Sequence, residues 1–324
     1  MERDSKIFVA GGSGMVGSAI IRKLLQMGYR NIISNYHKRI LSEFKETSVK
    51  FFPLDLRNQR ETERFFEEHK PRFVFLCAAK VGGILANNTY KAEFIYDNLA
   101  IALNIIHAAY KYKIKKLLNL GSSCIYPKFA PQPMKEEYLL TGPLEPTNEP
   151  YAIAKISAIK LCRYYNEQYG TNFISLMPTN LYGYNDNFDL KNSHVLPALI
   201  RKFHLGKCLE NKDWDAIRKD LNKNPIEGID GQASQEEILE VLSKNGVKLN
   251  GDTVMVEVWG SGNVYREFLF VDDLAEGAIF LMERVDAPLM RKLSPDYFVN
   301  IGTGEDIIIR DLALIIRDIV EFKG

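Results

Sequence analysis

The sequence predicts an α/β fold, built as a doubly wound parallel sheet with a smaller α/β lobe. Short, almost continuously apolar strands alternate with segments of helical periodicity through the first half of the chain. A glycine-rich loop, Gly11–Gly17, follows the first strand, and the alternation changes after Asn180. Strands that are apolar on both faces are typical of a parallel sheet covered by helices on either side. The pattern therefore predicts a Rossmann-type fold.

The elements of the first half follow from apolar runs and from apolar residues at helical spacing. The helix after the first strand runs to about Met27, where this spacing ends. Strands are predicted at residues 6–10, 31–34, 49–52, 73–77, 116–120 and 173–177. The remaining helices of this half are predicted at residues 59–68, 91–112 and 151–169.

The second half reads as a separate, smaller lobe with a charged amphipathic insertion at about 210–250. One helix of the insertion opens with a capping box, Ser234 followed by Glu237. Helices are predicted at 194–204, 213–221, 234–244, 272–283 and 310–322, and strands at 254–259 and 297–301. We therefore expect a first domain at residues 1–180 and a second lobe made mainly of residues 181–324.

Composition restricts the classes of partner and compartment. The 324 residues are 46% hydrophobic and 26% charged, with a net charge of +1, which argues against a protein that coats nucleic acid. The sequence predicts neither a signal peptide nor a membrane anchor. The widely spaced cysteines favour a reducing cytoplasm and indicate neither a metal site nor a disulfide framework. They are Cys77, Cys124, Cys162 and Cys208.

The glycine-rich loop predicts a dinucleotide site. Gly11, Gly14 and Gly17 are spaced by two residues at the junction of the first strand and the first helix. Glycine allows a tight turn and close backbone approach, and the following helix directs free N–H groups at a pyrophosphate. The same residues would also serve plain strand–turn–helix packing. The position on the first βαβ unit favours the dinucleotide.

The end of the second strand bears on which dinucleotide is bound. Residues 34–39, Ser-Asn-Tyr-His-Lys-Arg, offer no acid for a ribose hydroxyl and three basic side chains for a 2′-phosphate. This pattern favours NADP over NAD. Asp55 is placed to contact an adenine edge, and the turn Cys77–Lys80 to pass beneath the adenosine.

Tyr151 and Lys155 predict a site for proton transfer. Residues four apart on a helix share one face, about one turn from each other. A protonated Lys155 is expected to lower the pKa of the Tyr151 phenol, so that it exchanges a proton with a sugar oxygen near neutral pH. Ser122, after an apolar run, is positioned in the sequence to hydrogen-bond the same oxygen.

These motifs together resemble the extended short-chain dehydrogenase/reductases and, among them, the GDP-L-fucose synthase family. The resemblance covers nearly the whole chain in the family's order. The matching stretches are Gly14–Ala19, Ala78–Gly83, Gly121–Pro127, Glu145–Lys155, Pro178–Gly183, Asn192–Val195, Val258–Gly262 and Arg266–Phe268.

The resemblance implies an NADPH-dependent enzyme that epimerises C3 and C5 of a GDP-4-keto-6-deoxy sugar and then reduces C4, in nucleotide-sugar biosynthesis for surface glycans. Ser122, Tyr151 and Lys155 would carry out the reduction, and Cys124 with His194 the epimerisation. Taken alone, this thiol is more typical of a core residue, and this imidazole of a helix cap or surface residue. The family also implies a homodimer through the helices at 91–112 and 151–169.

The first domain thereby becomes the NADP-binding domain and the second the nucleotide-sugar-binding lobe. Substrate contacts are expected from Lys202, Trp259 and Arg266. Cofactor contacts are expected from Gly11, Gly12, Ser13, Gly14, Met15, Val16, Gly17, His37, Asp55, Leu56, Ala78, Ala79, Leu120, Gly121, Ser122, Ser123, Tyr151, Lys155, Pro178, Thr179, Asn180, Leu181 and His194.

The chain also departs from the family pattern. Gly183-Tyr-Asn185 replaces the family's Gly-Pro-His, residues 210–250 are inserted, and the family continues beyond the position of Gly324. Arginines that some members direct at the 2′-phosphate correspond to Ser13 and His37. These departures leave open a C4 reductase of a GDP-4-keto-6-deoxy-heptose that does not epimerise. A nucleotide-sugar 4-epimerase or dehydratase, and a non-catalytic NADP-binding regulator, are the alternatives from other classes.

Overall fold

The computed structural model describes residues 1–36 and 40–324, and His37 therefore lies outside the described residues. In these ranges the strands are β1 Ile7–Ala10, β2 Ile32–Tyr36, β3 Lys50–Pro53, β4 Phe73–Leu76, β5 Lys116–Leu120, β6 Phe173–Pro178, β7 Asn180–Tyr182, β8 Val247–Asn250, β9 Thr253–Val256, β10 Tyr265–Phe270, β11 Phe298–Ile301 and β12 Asp306–Ile308. The α-helices are α1 Met15–Gln26, α2 Gln59–His69, α3 Ile84–Thr89, α4 Lys91–Lys111, α5 Glu149–Tyr169, α6 Val195–Glu210, α7 Trp214–Lys223, α8 Gln235–Lys244, α9 Val271–Arg284, α10 Ala287–Leu293 and α11 Ile309–Val320.

The chain forms two compact units, of which the first comprises residues 1–81, 87–185 and 268–303. Its sheet has seven strands in the order β11-β6-β5-β4-β1-β2-β3, and every pairing is parallel. Strand order reverses between β1 and β4, which is where doubly wound sheets bind ligands at their carboxyl ends. The predicted Rossmann-type fold is confirmed.

Both faces of this sheet are buried, and alternate residues of one strand serve the two faces. Ile7 and Val9 pack in a core with helices α1 and α9. Phe8 and Ala10 pack in a second core with α2, α4 and α5. Because successive strand side chains point to opposite faces, a strand covered on both sides has to be apolar throughout. The continuous apolar runs of the sequence follow directly from this arrangement.

Residues 268–303 belong to the first unit, although residues 186–267 before them and 304–324 after them belong to the second. Helix α9 packs on α1, and β11 pairs in parallel with β6 at the edge of the sheet. From the sequence, these residues were expected in the smaller lobe. Periodicity predicted the helix and the strand, but the choice between two sheets depends on long-range packing.

The second unit comprises residues 82–86, 186–267 and 304–324. Helix α6 packs against α7, α11 and the antiparallel hairpin of β8 and β9. The charged insertion therefore folds into α7, α8 and this hairpin. The predicted capping box is confirmed, since the Ser234 side chain accepts from the Glu237 N–H and the Glu237 carboxylate accepts from the Ser234 N–H.

Some short elements differ from the sequence predictions. The strand predicted at 254–259 ends at Val256 and is paired with a strand, β8, that was not predicted. The first three residues of β10 pair with β12 in the second unit, and its last three pair with β7 in the first. Within the described residues, no helix is long and apolar enough to cross a membrane.

Candidate functional site

The glycine-rich loop is closed by packing and by hydrogen bonds from the end of β2. Gly11 has a φ of +88°, and a Cβ on it would lie 2.8 Å from the Ala78 backbone. A Cβ on Gly12 would collide with the Ser34 hydroxyl. The Gly11 N–H donates to Asn35 Oδ1 at 2.7 Å, and the Gly12 N–H donates to Ser34 Oγ at 3.1 Å. These two glycines are therefore required by the chain itself.

Gly14 and the start of α1 have the form of an anion cradle. A Cβ on Gly14 would meet only the Gly11 carbonyl, at 3.4 Å. Gly14 is the N-cap of α1 and gives no side-chain cap, and the first turn of the helix carries no acidic residue. The N–H groups of this turn are thus available to a pyrophosphate, which the helix dipole also favours.

Ser34 and Asn35 act inside the loop rather than on a cofactor phosphate. Both are buried, at 0% and 6% exposure, and the Ser34 hydroxyl also donates to the Val9 carbonyl at 2.6 Å. Sequence reasoning counted them among six residues that bear on the 2′-phosphate. Of that set, the three basic side chains lie at 37–39, outside the described residues. The position of this serine and asparagine at the carboxyl end of β2 was the only signal for their structural role.

The adenosine side of the predicted cofactor site is formed by the segments after β3 and β4. The Asp55 carboxylate accepts three hydrogen bonds from the Arg57 guanidinium, between 2.7 and 3.2 Å. The turn from Cys77 to Lys80 is fixed by the Cys77 N–H, which donates to the Ala10 carbonyl at 3.0 Å. Leu56 is buried, and Ala78 and Ala79 are half-buried. These predicted contacts all lie at the carboxyl edge of the sheet.

The predicted nicotinamide side lies at the ends of β5 and β6. Leu120 is the last residue of β5, and Pro178 is the last residue of β6. Gly121 has no room for a side chain, because a Cβ there would overlap the Met177 side chain. The Thr179 hydroxyl is buried and makes no hydrogen bond within the described part of the chain. A buried unpaired hydroxyl at this edge fits a ligand group that completes it.

Ser122, Cys124, Tyr151 and Lys155 belong to one unit and meet where β5 ends and α5 begins. The Ser122 hydroxyl caps a short 3₁₀ turn by accepting the Cys124 N–H at 3.4 Å. The Lys155 ammonium, 7% exposed, donates to the Leu120 carbonyl at 2.7 Å. It also lies 5.6 Å from the centroid of the Tyr151 ring. The four side chains predicted from the motifs are therefore grouped.

The pKa of Tyr151 differs from the sequence expectation. Burial raises the pKa of the phenol, and the Cys124 thiol raises it further. Burial also lowers the pKa of the Lys155 ammonium to about 8. Removing the phenolate from water outweighs the attraction of a lysine whose Nζ is directed at a backbone carbonyl. Tyr151 thus keeps its proton at neutral pH, which is the state that donates.

Cys124 is held as a thiol. Burial raises its pKa to about 11, although the Ser122 hydroxyl and the Lys155 charge act in the opposite direction. The Cys77, Cys162 and Cys208 thiols also have raised pKa values, each mainly because of burial. A raised pKa alone therefore does not distinguish Cys124. Cys124 is distinguished by its position beside Ser122 and by its effect on the Tyr151 pKa.

The predicted acid/base residue His194 and the three predicted substrate-binding residues belong to the second unit. His194 is the N-cap residue of α6, and desolvation lowers the pKa of its imidazole, which is therefore mainly neutral at pH 7. Lys202 is 3% exposed, donates to the Glu257 carbonyl at 3.1 Å and lies 3.7 Å from the centroid of the Trp259 ring. Burial lowers the Lys202 pKa to about 8. Trp259 is 52% exposed, and Arg266 is also exposed.

The chain is similar in sequence to proteins named as GDP-sugar enzymes. The sequence model described as "NAD dependent epimerase/dehydratase family" matches residues 7–220 and 231–302. The chain is 47% identical to a putative GDP-L-fucose synthase 2 of Arabidopsis thaliana. That match covers 100% of this chain and 79% of the plant protein.

Solved structures extend the similarity to heptose enzymes. A GDP-D-glycero-L-gluco-heptose synthase of Campylobacter jejuni, determined in the presence of NADPH, is 40% identical with a TM-score of 0.86. A GDP-mannoheptose C4 reductase of Campylobacter jejuni, with NADP bound, is also 40% identical, with a TM-score of 0.81. Each match covers 100% of this chain and 88% of the other.

Proposed function

Because the chain belongs to the NAD dependent epimerase/dehydratase family and, within it, to the GDP-L-fucose synthases, we propose that it reduces a GDP-4-keto-6-deoxy sugar at C4 with NADPH. We also propose that it first epimerises C3 and C5. The observation that carries the proposal is the grouping of Ser122, Tyr151 and Lys155 with Cys124, in a chain that matches the family over its whole length.

The residues present fit the proposed cofactor. Gly14 leaves space at the start of α1, where the backbone N–H groups of the first helical turn can bind a pyrophosphate. The unpaired Thr179 hydroxyl lies after the end of β6, near the segment expected to line the nicotinamide. When bound, NADPH supplies the hydride.

The proposed role of Tyr151 is to donate its phenolic proton to the oxygen at C4. Its raised pKa keeps the proton in place until the oxygen becomes more basic. The Ser122 hydroxyl donates to the same oxygen, and both donors stabilise the negative charge that develops there. Lys155, held by the Leu120 carbonyl, sustains a positive field behind the phenol.

The proposed epimerisation uses Cys124 and His194. A 4-keto group acidifies the protons on the flanking carbons, so one group removes a proton and another returns one on the opposite face. The pKa directions leave the thiol and the imidazole both uncharged in the free protein at pH 7. Neither group therefore has to lose a buried charge before the proton transfer begins. In the second unit, Lys202, Trp259 and Arg266 are proposed to hold the GDP.

The test is to offer GDP-4-keto-6-deoxy-mannose and NADPH in deuterated water. We expect stoichiometric loss of NADPH absorbance and a product with deuterium at C3 and C5. Cys124→Ser is expected to lose most of the deuterium uptake and to retain reduction of the keto group. Bound cofactor that is never consumed would instead identify a 4-epimerase and contradict the proposal.

A second candidate is a C4 reductase of a GDP-4-keto-6-deoxy-heptose without epimerisation. It is supported by the 40% identity to a GDP-mannoheptose C4 reductase. The loop residues Tyr184 and Asn185, which replace Pro-His of the family pattern, are exposed. The heptose substrate in deuterated water separates the candidates, since this one requires reduction with no deuterium at C3 or C5.

We further propose a cytoplasmic homodimer. Helices α4 and α5 expose large apolar side chains: Tyr96 is 69% exposed, Leu103 50% and Tyr164 53%. Apolar faces of this kind on neighbouring helices are typical of interfaces between subunits. Leu103→Glu should shift the sedimentation coefficient from dimer to monomer, and a wild-type monomer at micromolar concentration would contradict the assembly. Cell fractionation tests the compartment.

A further inference from the structure

Helix α4 carries a buried asparagine that brackets one residue of the turn after β4. The Asn98 amide oxygen accepts from the Lys80 N–H at 2.9 Å, and its Nδ2 donates to the Lys80 carbonyl at 3.0 Å. Nδ2 also donates to the Phe94 carbonyl of α4, at 2.8 Å. Asn98 is 5% exposed. The Asn98 side chain therefore binds both the N–H and the carbonyl of Lys80, as the backbone of a neighbouring strand would.

The bracketed turn is the one that packs under the glycine-rich loop. Ala78 leaves no space for a side chain on Gly11, and the Cys77 N–H is bonded to Ala10. The turn is thus held by the loop at one end and by Asn98 at the other. A shift of Lys80 would move Ala78 and Ala79, the two residues expected to lie beneath the adenosine.

The same helix holds the segment after β3. Asn104 Nδ2 donates to the Leu56 carbonyl at 2.9 Å and to the Arg57 carbonyl at 3.0 Å. Next to Asn98, the Asp97 carboxylate pairs with Arg57 and with Lys80, each at 3.2 Å. Three side chains of α4 therefore tie down both segments at the adenosine side of the sheet edge.

We propose that Asn98 is a positioning residue for the adenosine half of NADP, with Asn104 as its secondary support. The inference rests on the proposed use of NADP, and it concerns the order of the site before the cofactor arrives. A preformed turn saves the conformational entropy that binding would otherwise have to meet. Loss of the bracket therefore weakens the cofactor complex and leaves the chemical step intact.

Asn166 provides a matched control at the opposite edge of the same sheet. Its Nδ2 donates to the Phe173 carbonyl at 2.7 Å, and its Oδ1 accepts from the Phe173 N–H at 2.9 Å. It is 7% exposed, and Phe173 is the first residue of β6. Asn98→Leu and Asn166→Leu therefore remove the same kind of bracket, one at the carboxyl edge and one at the amino edge.

The experiment measures dissociation constants for NADPH by its fluorescence and for 2′,5′-ADP by calorimetry. Asn98→Leu is expected to weaken both by about tenfold, as the loss of two hydrogen bonds predicts. The KM for NADPH should rise likewise, with kcat at saturation and the KM for the GDP-sugar little changed. Asn166→Leu should lower the melting temperature and leave both dissociation constants near the wild-type values.

Equal cofactor affinity in the two variants would overturn the inference. If Asn98→Leu does not fold, Asn104→Leu decides, since it removes only the support at Leu56 and Arg57. We expect Asn104→Leu to weaken binding of 2′,5′-ADP about threefold. An unchanged dissociation constant would contradict the proposed positioning role of α4. A wild-type chain that does not bind NADPH contradicts the proposed function instead.

Discussion

The two compact units hold their functional side chains in different ways. In the first, Lys155 is 7% exposed, and its ammonium is fixed by a strand-end carbonyl. In the second, Trp259 is 52% exposed, and the guanidinium of the exposed Arg266 donates to the neighbouring Tyr265 carbonyl at 2.7 Å. The proton-transfer groups are thus fixed by the chain itself. Of the groups proposed to hold the nucleotide sugar, Trp259 and Arg266 are open to solvent.

Tyr151→Phe should cause the largest loss. Phenylalanine keeps the ring that packs edge-on against Phe94 at 6.4 Å, and removes only the acidic proton. The rate of C4 reduction is expected to fall by about a thousandfold, the usual contribution of a positioned acid. Single-turnover oxidation of NADPH measures it, with NADPH affinity and melting temperature as controls. An undiminished rate would show that another group protonates the sugar oxygen.

The buried lysines give a pH-dependent comparison of the two units. Burial lowers the pKa values of Lys155 and Lys202 from 10.5 to about 8, so the folded chain binds fewer protons than the unfolded chain between these values. Stability therefore rises with pH across this window, by up to about 3 kcal/mol for each lysine.

Lys155→Met and Lys202→Met should each flatten that rise in urea unfolding experiments between pH 7.5 and 10.5. A slope unchanged in Lys155→Met would mean that folding does not lower the Lys155 pKa. If the two variants flatten the rise to different extents, the larger effect identifies the lysine whose pKa is lowered more by folding.

Trp259→Ala tests the exposed side of the comparison. The ring lies 3.7 Å from Lys202 Nζ at its centroid, so its loss removes both a stacking surface and a cation–π contact. We expect the KM for the GDP-sugar to rise about tenfold with kcat nearly unchanged. The control is Trp214→Ala, a substitution of the other tryptophan of the chain. A fall in kcat without a change in KM would place Trp259 in the chemical step.

Ser234→Ala should have the smallest effect. The capping box at the start of α8 is complete, and its loss costs about 1 kcal/mol of unfolding free energy. The exposed Ser243 near the end of the same helix serves as control, as Ser243→Ala. Reduction and epimerisation rates should not change in either variant. A lower reduction rate in Ser234→Ala would link the insertion to the site.

The sequence predicted the parallel sheet well because a strand buried on both faces is apolar at every position. It predicted the grouping of Tyr151 and Lys155 from their spacing on one helix, and that of Ser122 from its position after a strand that ends at the same edge. Short strands such as β7 and β12 were missed, since three residues carry too little periodicity. The assignment of residues 268–303 to the first unit also depends on packing that no local pattern contains.

The direction of the Tyr151 pKa shift was wrong for a related reason. Spacing on a helix indicates that Lys155 is near, but it does not indicate how much water the fold removes from the phenol. The roles of Asn98, Ser34 and Asn35 were missed similarly, because an asparagine or serine that braces a backbone looks in sequence like any polar residue. Their contacts arise only from the assembled sheet edge.

The return of residues 268–303 to the first unit has a consequence for synthesis of the chain. Arg22 pairs with Asp272 at 2.9 Å and Lys23 with Glu276 at 2.6 Å, contacts between segments some 250 residues apart. Until α9 has been synthesised, the face of α1 that α9 covers is exposed to solvent. Helix α1, although translated early, therefore completes its packing only after α9 has been made. A nascent chain stalled before α9 would expose apolar surface that chaperones recognise.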